Sequence, residues 1–488
     1  MRFLLTLLAL VALGHVPAVE AQSTDAARLV TALLGDTPML ADAQALTDRI
    51  GGRATGSEAN LASVEWALAR FREAGVTASK EAFAMPARWL ERSASATVHG
   101  GSIRFTPRVA AMPFSGGTPA SGVTAPLVDG GRGTDEDFAR LAAQARGAFV
   151  LVETEELVDV DGLFKEYADA AAVELRAATA GVTGIVYQGS RPNDLLYRHN
   201  VSAGPTNTTP MAVMERDATA RALRLLRLGE RLQLTLTLGI ESDGPYESWN
   251  VIGEIRGSAT PEEIVIVGAH LDSWDLGTGA LDNGANVAML IDIARQMKRL
   301  GITPRRTIRF ILWNGEEQGL VGSWKYADAH MNELDRVVMA SSYDIGTGRI
   351  IGFFTGGRPE IAAATDKALA SIAGLGPFTQ VDLPIVGTDN FDFMMHGIAN
   401  LVANQAPANY GPNYHARSDT FDRVDATQLR LNAVIAATVS LGFATMDATW
   451  TRQTRTEVEQ LVASSDLEAQ MRMFGIWGDW VGKRRGRR

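Results

Sequence analysis

Histidines and carboxylates recur in the second half of the chain, close to short apolar runs. They are His270 and Asp272, Asp282, the neighbouring pair Glu316 and Glu317, Asp344, and His415. Imidazole mixed with carboxylate suits zinc, although manganese or cobalt would also fit. A catalytic site with one zinc ion uses three protein ligands and a water molecule, so this set is too large for one ion. It suits two zinc ions about 3.5–4 Å apart that share one carboxylate, which is an arrangement that activates water for hydrolysis of amide or phosphate bonds.

The adjacent Glu316 and Glu317 can do two different things, because neighbouring side chains in a loop can diverge. One carboxylate would bind metal while the other faces the activated water molecule. A carboxylate in that position is a suitable general base, and it can later return the proton to the leaving group. The pair is therefore predicted to supply one metal ligand and the catalytic base.

The overall composition limits what else the chain can be. Its 488 residues are 46% hydrophobic and 21% charged, which is typical of a globular protein. The absence of cysteine excludes disulfides and thiolate metal sites. Acidic residues outnumber basic ones, 56 to 46, so a surface that binds nucleic acid is not expected.

The elements that position the candidate ligands form a repeating pattern of strand, loop and helix after Ser248. The run at 264–267 is continuously apolar, which is typical of a strand buried on both faces, and mainly apolar runs at 307–313, 337–340 and 398–403 indicate three more strands. Their alternation with helices predicts an α/β fold, with a mostly parallel sheet covered by helices on both faces. Ligands of such sheets bind beyond the carboxyl ends of the strands, where the candidate residues lie.

Changes of pattern and turn-rich linkers divide the chain into five predicted segments. They are a signal peptide at 1–21, a first part of the main domain at 22–121, an inserted domain at 122–240, the metal-binding core at 241–450, and a C-terminal helix and basic tail at 451–488. The inserted segment contains no candidate metal ligand, so we expect it to affect substrate choice or dimerisation more than the metal site. The tail, Lys483-Arg-Arg-Gly-Arg-Arg, is expected to be solvated and disordered.

The N-terminal residues are typical of an exported protein. Arg2 precedes an apolar run at 3–13, and Val19-Glu20-Ala21 matches a signal-peptide cleavage site. The apolar run has about half the length that a stable membrane span needs. Because export without cysteine is more typical of bacteria, we expect a periplasmic or secreted protein of bacterial type.

Four motifs, taken together and in this order, resemble a known family. They are His270-x-Asp272, Gly279-Ala-Leu-Asp282-Asn-Gly-Ala, Asn314-Gly-Glu316-Glu317-Gln-Gly and His415-x-x-x-Asp419-Thr. They resemble the di-zinc exopeptidases of the aminopeptidase Y and aminopeptidase S type. The layout, with Gly387-Thr-Asp389 before the last strand, is most similar to the carboxypeptidase Q (plasma glutamate carboxypeptidase-like) branch. Arg53-Ala-Thr-Gly56-Ser57 also resembles the family's N-terminal motif, and the inserted segment resembles a smaller, β-rich protease-associated domain.

The resemblance implies a metal site with two zinc ions per chain. Asp282 would bridge the ions, with Glu317 and His415 completing one site and His270 and Asp344 the other. It further implies a cis peptide bond between Asp282 and Asn283, and a homodimer.

The resemblance also implies the catalytic roles. Glu316 would be the general base, and Asp272 would hold the imidazole of His270 in the correct tautomer. Tyr414 resembles an oxyanion-stabilising tyrosine of some relatives. Thr388-Asp389-Asn390 stands where many aminopeptidase relatives have Ser-Asp-His, which leaves the substrate preference open.

Three functions stay open at this point. The first is an exopeptidase that cleaves a terminal bond of dipeptides or short peptides, or that acts as an aminopeptidase on longer ones. The second is a non-catalytic receptor-like relative, against which the complete ligand set argues. The third is a related glutaminyl cyclase with one zinc ion. That class does not use the histidine of a His-x-Asp pair as a metal ligand, so the presence of His270 favours hydrolysis. Metal content per chain would distinguish them.

Overall fold

The computed structural model describes residues 18–488, and the predicted signal peptide at 1–21 lies almost wholly outside the described residues. The α-helices of this part are, in chain order, α1 Ala18–Leu34, α2 Met39–Gln44, α3 Glu58–Glu73, α4 Asp135–Leu141, α5 Val160–Ala180, α6 Arg216–Arg227, α7 Ala285–Leu300, α8 Val321–Ala329, α9 Pro359–Leu369, α10 Asn390–Met395, α11 Tyr410–Asn413, α12 Ala426–Thr445, α13 Arg455–Ala463, α14 Leu467–Met473 and α15 Trp477–Val481. Within residues 18–488, no helix combines the length and the hydropathy that crossing a bilayer would require.

The strands form two sheets. In chain order they are β1 Thr77–Met85, β2 Arg88–Gly100, β3 Ile103–Phe105, β4 Val109–Ala111, β5 Val123–Asp129, β6 Phe149–Val152, β7 Gly184–Gln188, β8 Met211–Met214, β9 Gln233–Asp243, β10 Tyr246–Ile255, β11 Thr260–His270, β12 Arg306–Trp313, β13 Val337–Ser342, β14 Ile350–Phe354 and β15 Asn400–Gln405.

The first sheet has seven strands in the order β1-β10-β12-β11-β13-β15-β14. The central strands β12, β11, β13 and β15 are parallel, and β10, β1 and β14 add antiparallel edges. The α/β fold predicted from the sequence is confirmed. The sheet itself is mixed, because β10 and the edge strand β14 run opposite to the four central strands.

Helices cover both faces of this sheet, and the side chains of β11 show why. Val265 and Val267 belong to a buried cluster with α7 and α12, whereas Ile264 and Ile266 pack on the opposite face with α8 and α10. Successive side chains of a strand point to opposite faces, so a strand between two helical layers must be apolar throughout. The predicted strands at the centre of the sheet are therefore buried on both sides.

The second sheet has eight strands in the order β3-β2-β9-β5-β6-β7-β8-β4 and its own apolar core. Strands β2, β3 and β4 precede residue 122, and β2 pairs with β9 from Arg88↔Asp243 to His99↔Gln233. This second-sheet unit therefore comprises residues 88–243, a wider span than the 122–240 segment expected from the sequence.

The C-terminal segment contains α13 to α15 and ends in the basic tail. The expectation of a solvated, disordered tail is wrong for Arg485, which is only 3% exposed. Its guanidinium forms an ion pair with Asp392, which is fully buried. An arginine in such an environment is positioned by the fold, since a buried charge needs a partner.

Candidate metal centre

The ends of three parallel strands place the candidate ligands together. His270 is the last residue of β11, Glu316 and Glu317 lie in the loop after β12, and Asp344 closely follows β13. Parallel neighbours end at the same edge of the sheet, so these side chains converge there. His415 arrives after α11 with a positive φ of 56°, which turns the chain toward the same edge.

Five predicted ligands form two buried groups that share one residue. His270, Asp282 and Asp344 make one group, and Asp282, Glu317 and His415 make the other, with ligand atoms within 4.8 Å of one another in each. His270 Nε2 lies 3.0 Å from Asp282 Oδ1 and 2.9 Å from Asp344 Oδ1. His415 Nε2 lies 2.8 Å from Glu317 Oε2 and 3.5 Å from Asp282 Oδ2. The two oxygens of Asp282 therefore face different histidines.

Both imidazoles are held by the ring nitrogen that points away from the carboxylates. His270 Nδ1 lies 3.0 Å from the carbonyl oxygen of Asp272, and His415 Nδ1 lies 3.1 Å from that of Arg198. A carbonyl oxygen only accepts hydrogen bonds, so in each ring Nδ1 carries the hydrogen. The Nε2 lone pair of a neutral ring then faces carboxylate oxygens, which is repulsive unless a cation lies between them.

The charges in the site lead to the same conclusion. Burial raises the pKa of Glu316 and Glu317 well above the usual carboxyl range, and neighbouring carboxylates raise it further. Burial opposes a charge on His270, but Asp344 and Glu316 outweigh it and raise the pKa of that ring. Burial lowers the pKa of His415 to about 4. Within the described residues, Asp282 Oδ2 has no hydrogen-bond donor. The residues therefore fit divalent cations, which compensate charge that would otherwise require bound protons.

A backbone cradle holds the bridging candidate Asp282. The backbone N–H groups of Ala280, Leu281 and Asp282 all donate to the carboxylate of Asp419, at 2.6 to 3.1 Å. The peptide bond between Asp282 and Asn283 is cis, as the resemblance implied. The sequence placed Asp419 in the His415 motif but assigned it no role. In the structure, its carboxylate holds the loop that carries Asp282.

Asp272 connects the site to the N-terminal motif. Its Oδ2 accepts from Thr55 Oγ1 at 2.6 Å, and its Oδ1 accepts from the backbone N–H of Glu316 at 3.4 Å. The carboxylate is 3.7 Å from His270 Nδ1, farther than the backbone carbonyl of the same residue. Arg53, fully buried, donates to the carbonyls of Leu271 and Gly279 on the adjoining loop.

Residues 196–200 of the second-sheet unit contact the backbone of His415 and Glu317, although none of the candidate ligands lies in residues 122–240. The backbone N–H of Arg198 donates to the carbonyl of His415, and Tyr197 and Ala416 form an antiparallel bridge. Asn200 Nδ2 donates to the carbonyl of Glu317 at 2.7 Å. No isolated motif in residues 196–200 indicates this, because the contacts are with the backbone of a distant segment.

Two further residues that the sequence singled out lie next to the ligands. The Tyr414 ring stacks on His415 with centroids 3.7 Å apart, and its hydroxyl is 3.4 Å from that of Tyr167 in the second-sheet unit. Asp389 is buried, and within the described residues neither of its carboxylate oxygens has a hydrogen-bond partner. Burial raises the pKa of Asp389, and nearby Asp344 raises it further.

Known proteins resemble the chain along most of its length. Residues 250–440 match the profile of Peptidase family M28. Carboxypeptidase Q of Rattus norvegicus is 28% identical over 417 residues, which cover 82% of this chain and 84% of the relative. The probable lipoprotein aminopeptidase LpqL of Mycobacterium tuberculosis is 26% identical over 432 residues, covering 80% of this chain and 81% of that protein. A solved peptidase M28 precursor from Shewanella amazonensis has a TM-score of 0.79 at 27% identity, over 89% of this chain and 98% of its own.

Proposed function

We propose that this chain is a metallo-exopeptidase of Peptidase family M28 and that it hydrolyses the terminal bond of dipeptides and short peptides with two zinc ions. The observation that carries the proposal is the pair of ligand groups that share Asp282. The intact set of ligands, with Glu316 beside them, argues against a receptor-like relative that has lost its metals.

We assign the ligands from the two groups. His270 and Asp344 would hold one zinc ion, Glu317 and His415 the other, and Asp282 would contribute one oxygen to each. Neutral imidazole and carboxylate are the donors that zinc takes in the absence of thiolates. The backbone carbonyls that accept from both Nδ1 atoms would keep each Nε2 lone pair directed at its ion.

Zinc in this position supplies Lewis acidity, which polarises the scissile carbonyl and makes water more acidic. Glu316 would accept the proton of the attacking water at its carboxylate and then deliver it to the leaving amine. The burial that raises the pKa of Glu316 makes it a stronger base than an exposed carboxylate. The Glu316 backbone is held in place by Asp272.

The surplus of carboxylates in the site determines which end of a peptide it accepts. Asp344, Glu317 and Asp389 are all buried beside the site. Their field should attract a free α-ammonium and repel a free carboxylate, and the effect is strong where water is excluded. The names carboxypeptidase and aminopeptidase in the two curated relatives refer to opposite ends of a substrate, and in a dipeptide the two descriptions coincide.

A panel of di- and tripeptides tests this proposal, each prepared free, N-acetylated and C-amidated. We expect the free dipeptides to be among the best substrates. Acetylation of the amine should raise KM or abolish turnover, and amidation of the carboxylate should matter less. Acetylated peptides cleaved as fast as free ones, with C-amides resistant, would show that the site does not recognise the amine.

We further propose that the protein is exported and forms a homodimer. Export is supported by the sequence of the first 21 residues, and the dimer by the resemblance to the carboxypeptidase Q branch alone. N-terminal sequencing of protein recovered from the periplasm or medium should begin near Gln22, and light scattering of purified protein should give twice the chain mass.

A further inference from the structure

The end of the chain folds back onto the loop that carries Glu316 and Glu317. Arg485 inserts its guanidinium between this loop and α10. It donates to Asp392 through Nε at 2.6 Å and Nη2 at 2.7 Å, in a forked pair. It also donates from Nη1 to the carbonyl of Gly319 at 3.1 Å and from Nη2 to that of Leu320 at 3.3 Å.

These two carbonyls belong to the turn that closes the Glu316 loop. The backbone N–H groups of Gly319 and Leu320 both donate to the carbonyl of Glu316, at 2.9 Å. Leu320 has a φ of 59°, which lies in the left-handed region that residues other than glycine rarely adopt. A turn with such backbone needs contacts that hold it, and Arg485 supplies two of them.

The partner of Arg485 is itself fixed in place. Asp392 is fully buried on α10, and its Oδ2 accepts from Ser323 Oγ at 3.1 Å. The guanidinium lies over the rings of Trp324 and Phe391, at 4.9 and 5.3 Å from their centroids. Forked, desolvated arginine–carboxylate pairs are strong and geometrically specific, and lysine does not reproduce them.

We propose that Arg485 is a positioning residue that fixes the loop carrying Glu316 and Glu317. The inference rests on the proposed function, since it takes Glu317 as a metal ligand and Glu316 as the base. Arg485 acts through the backbone: it holds the carbonyls of the turn whose amides hold the carbonyl of Glu316. The basic tail thus contributes to the reaction from the far end of the chain.

The test compares Arg485→Ala and Arg485→Lys with Arg484→Ala, in the full-length zinc-loaded enzyme. Arg484 is the matched control because it is the neighbouring arginine, and within residues 18–488 its exposed side chain pairs only with Asp479 and a nearby carbonyl. Two quantities are measured for each variant: kcat and KM on a dipeptide, and zinc affinity by competition with a chelator.

We expect Arg485→Ala to lower kcat about tenfold and to weaken the binding of one zinc ion about tenfold, with little change in KM. Effects of this size are typical of residues that orient metal ligands. Arg485→Lys should show the same changes to a smaller degree, since it keeps the charge and loses the fork. Millimolar guanidinium should partly restore kcat of Arg485→Ala, and Arg484→Ala should match the parent throughout.

The proposal is overturned if Arg485→Lys and Arg485→Ala keep parental kcat and zinc affinity while only the melting temperature falls. If Arg485→Ala does not fold, Arg485→Lys decides by the same two measurements. A parent protein that binds no zinc and cleaves no peptide would instead refute the proposed function, and this inference with it.

Discussion

At the scale of single residues, the orientation of two imidazoles determines what the site can do. His270 and His415 both turn Nε2 toward carboxylates and give Nδ1 to a backbone carbonyl. They could be predicted as candidate ligands because they stand in motifs that follow strands of the sheet along the chain. The contact that orients them could not, since the acceptor is a backbone carbonyl in each case. Asp272, which the resemblance assigns to holding the ring of His270, contacts that ring through its backbone carbonyl, and its carboxylate lies farther away.

The division of roles between the two adjacent glutamates can be tested directly. Glu316→Gln should leave both metals bound and lower kcat by roughly 10²–10⁴, the usual contribution of a general base. Glu317→Gln should weaken one metal as well, because Glu317 Oε2 faces His415 Nε2. Steady-state kinetics with elemental analysis of each variant checks this. The opposite pattern would mean that base and ligand have been exchanged between them.

At the scale of elements, the candidate metal centre receives contacts from both sheets. The first sheet supplies the strand ends, and the 196–200 segment of the second-sheet unit holds the backbones of His415 and Glu317. Buried apolar strands and the order of ligands along them could be predicted from periodicity. The pairing of β2 with β9 could not, because its partners are separated by more than a hundred residues of intervening chain.

The contribution of the second-sheet unit can be measured at Asn200. Asn200→Ala removes the hydrogen bond to the carbonyl of Glu317, and we expect it to weaken zinc binding by about tenfold, the lower range for such supporting contacts. Asn207→Ala is the control, since Asn207 makes a similar bond to the carbonyl of Phe114 within the unit.

Zinc affinity by chelator competition and thermal unfolding should be recorded for both variants. Asn207→Ala should reduce only thermal stability. If Asn200→Ala did the same and left zinc affinity unchanged, the unit would support the fold without supporting the metal site.

At the scale of the whole molecule, a buried acid in the second-sheet unit makes stability depend on pH. Glu174 on α5 accepts from the backbone N–H of Ser202, and burial raises its pKa from 4.5 to about 7. The folded state therefore binds this proton more tightly than the unfolded state. The resulting stabilisation is complete below pH 4.5 and is lost as pH rises through about 7, a change of roughly 3 kcal/mol.

Glu174→Gln removes this titration, so the free energy of unfolding of the variant minus that of the parent should increase between pH 5 and pH 8, as the parent loses stability. Urea unfolding at several pH values measures the difference. Glu156→Gln, an exposed acid of the same unit, serves as control and should follow the parent. A parallel pH dependence in all three proteins would show that Glu174 is not the group responsible.

The central claim is a shared metal centre in which one carboxylate serves two ions, and the number of zinc ions per chain tests it most directly. Elemental analysis of purified, fully active protein should give two zinc ions per chain. Removal of either by chelation should abolish activity, and added zinc should restore it. One zinc ion per chain in fully active protein would contradict the shared centre, and activity that survives exhaustive chelation would contradict metal dependence itself.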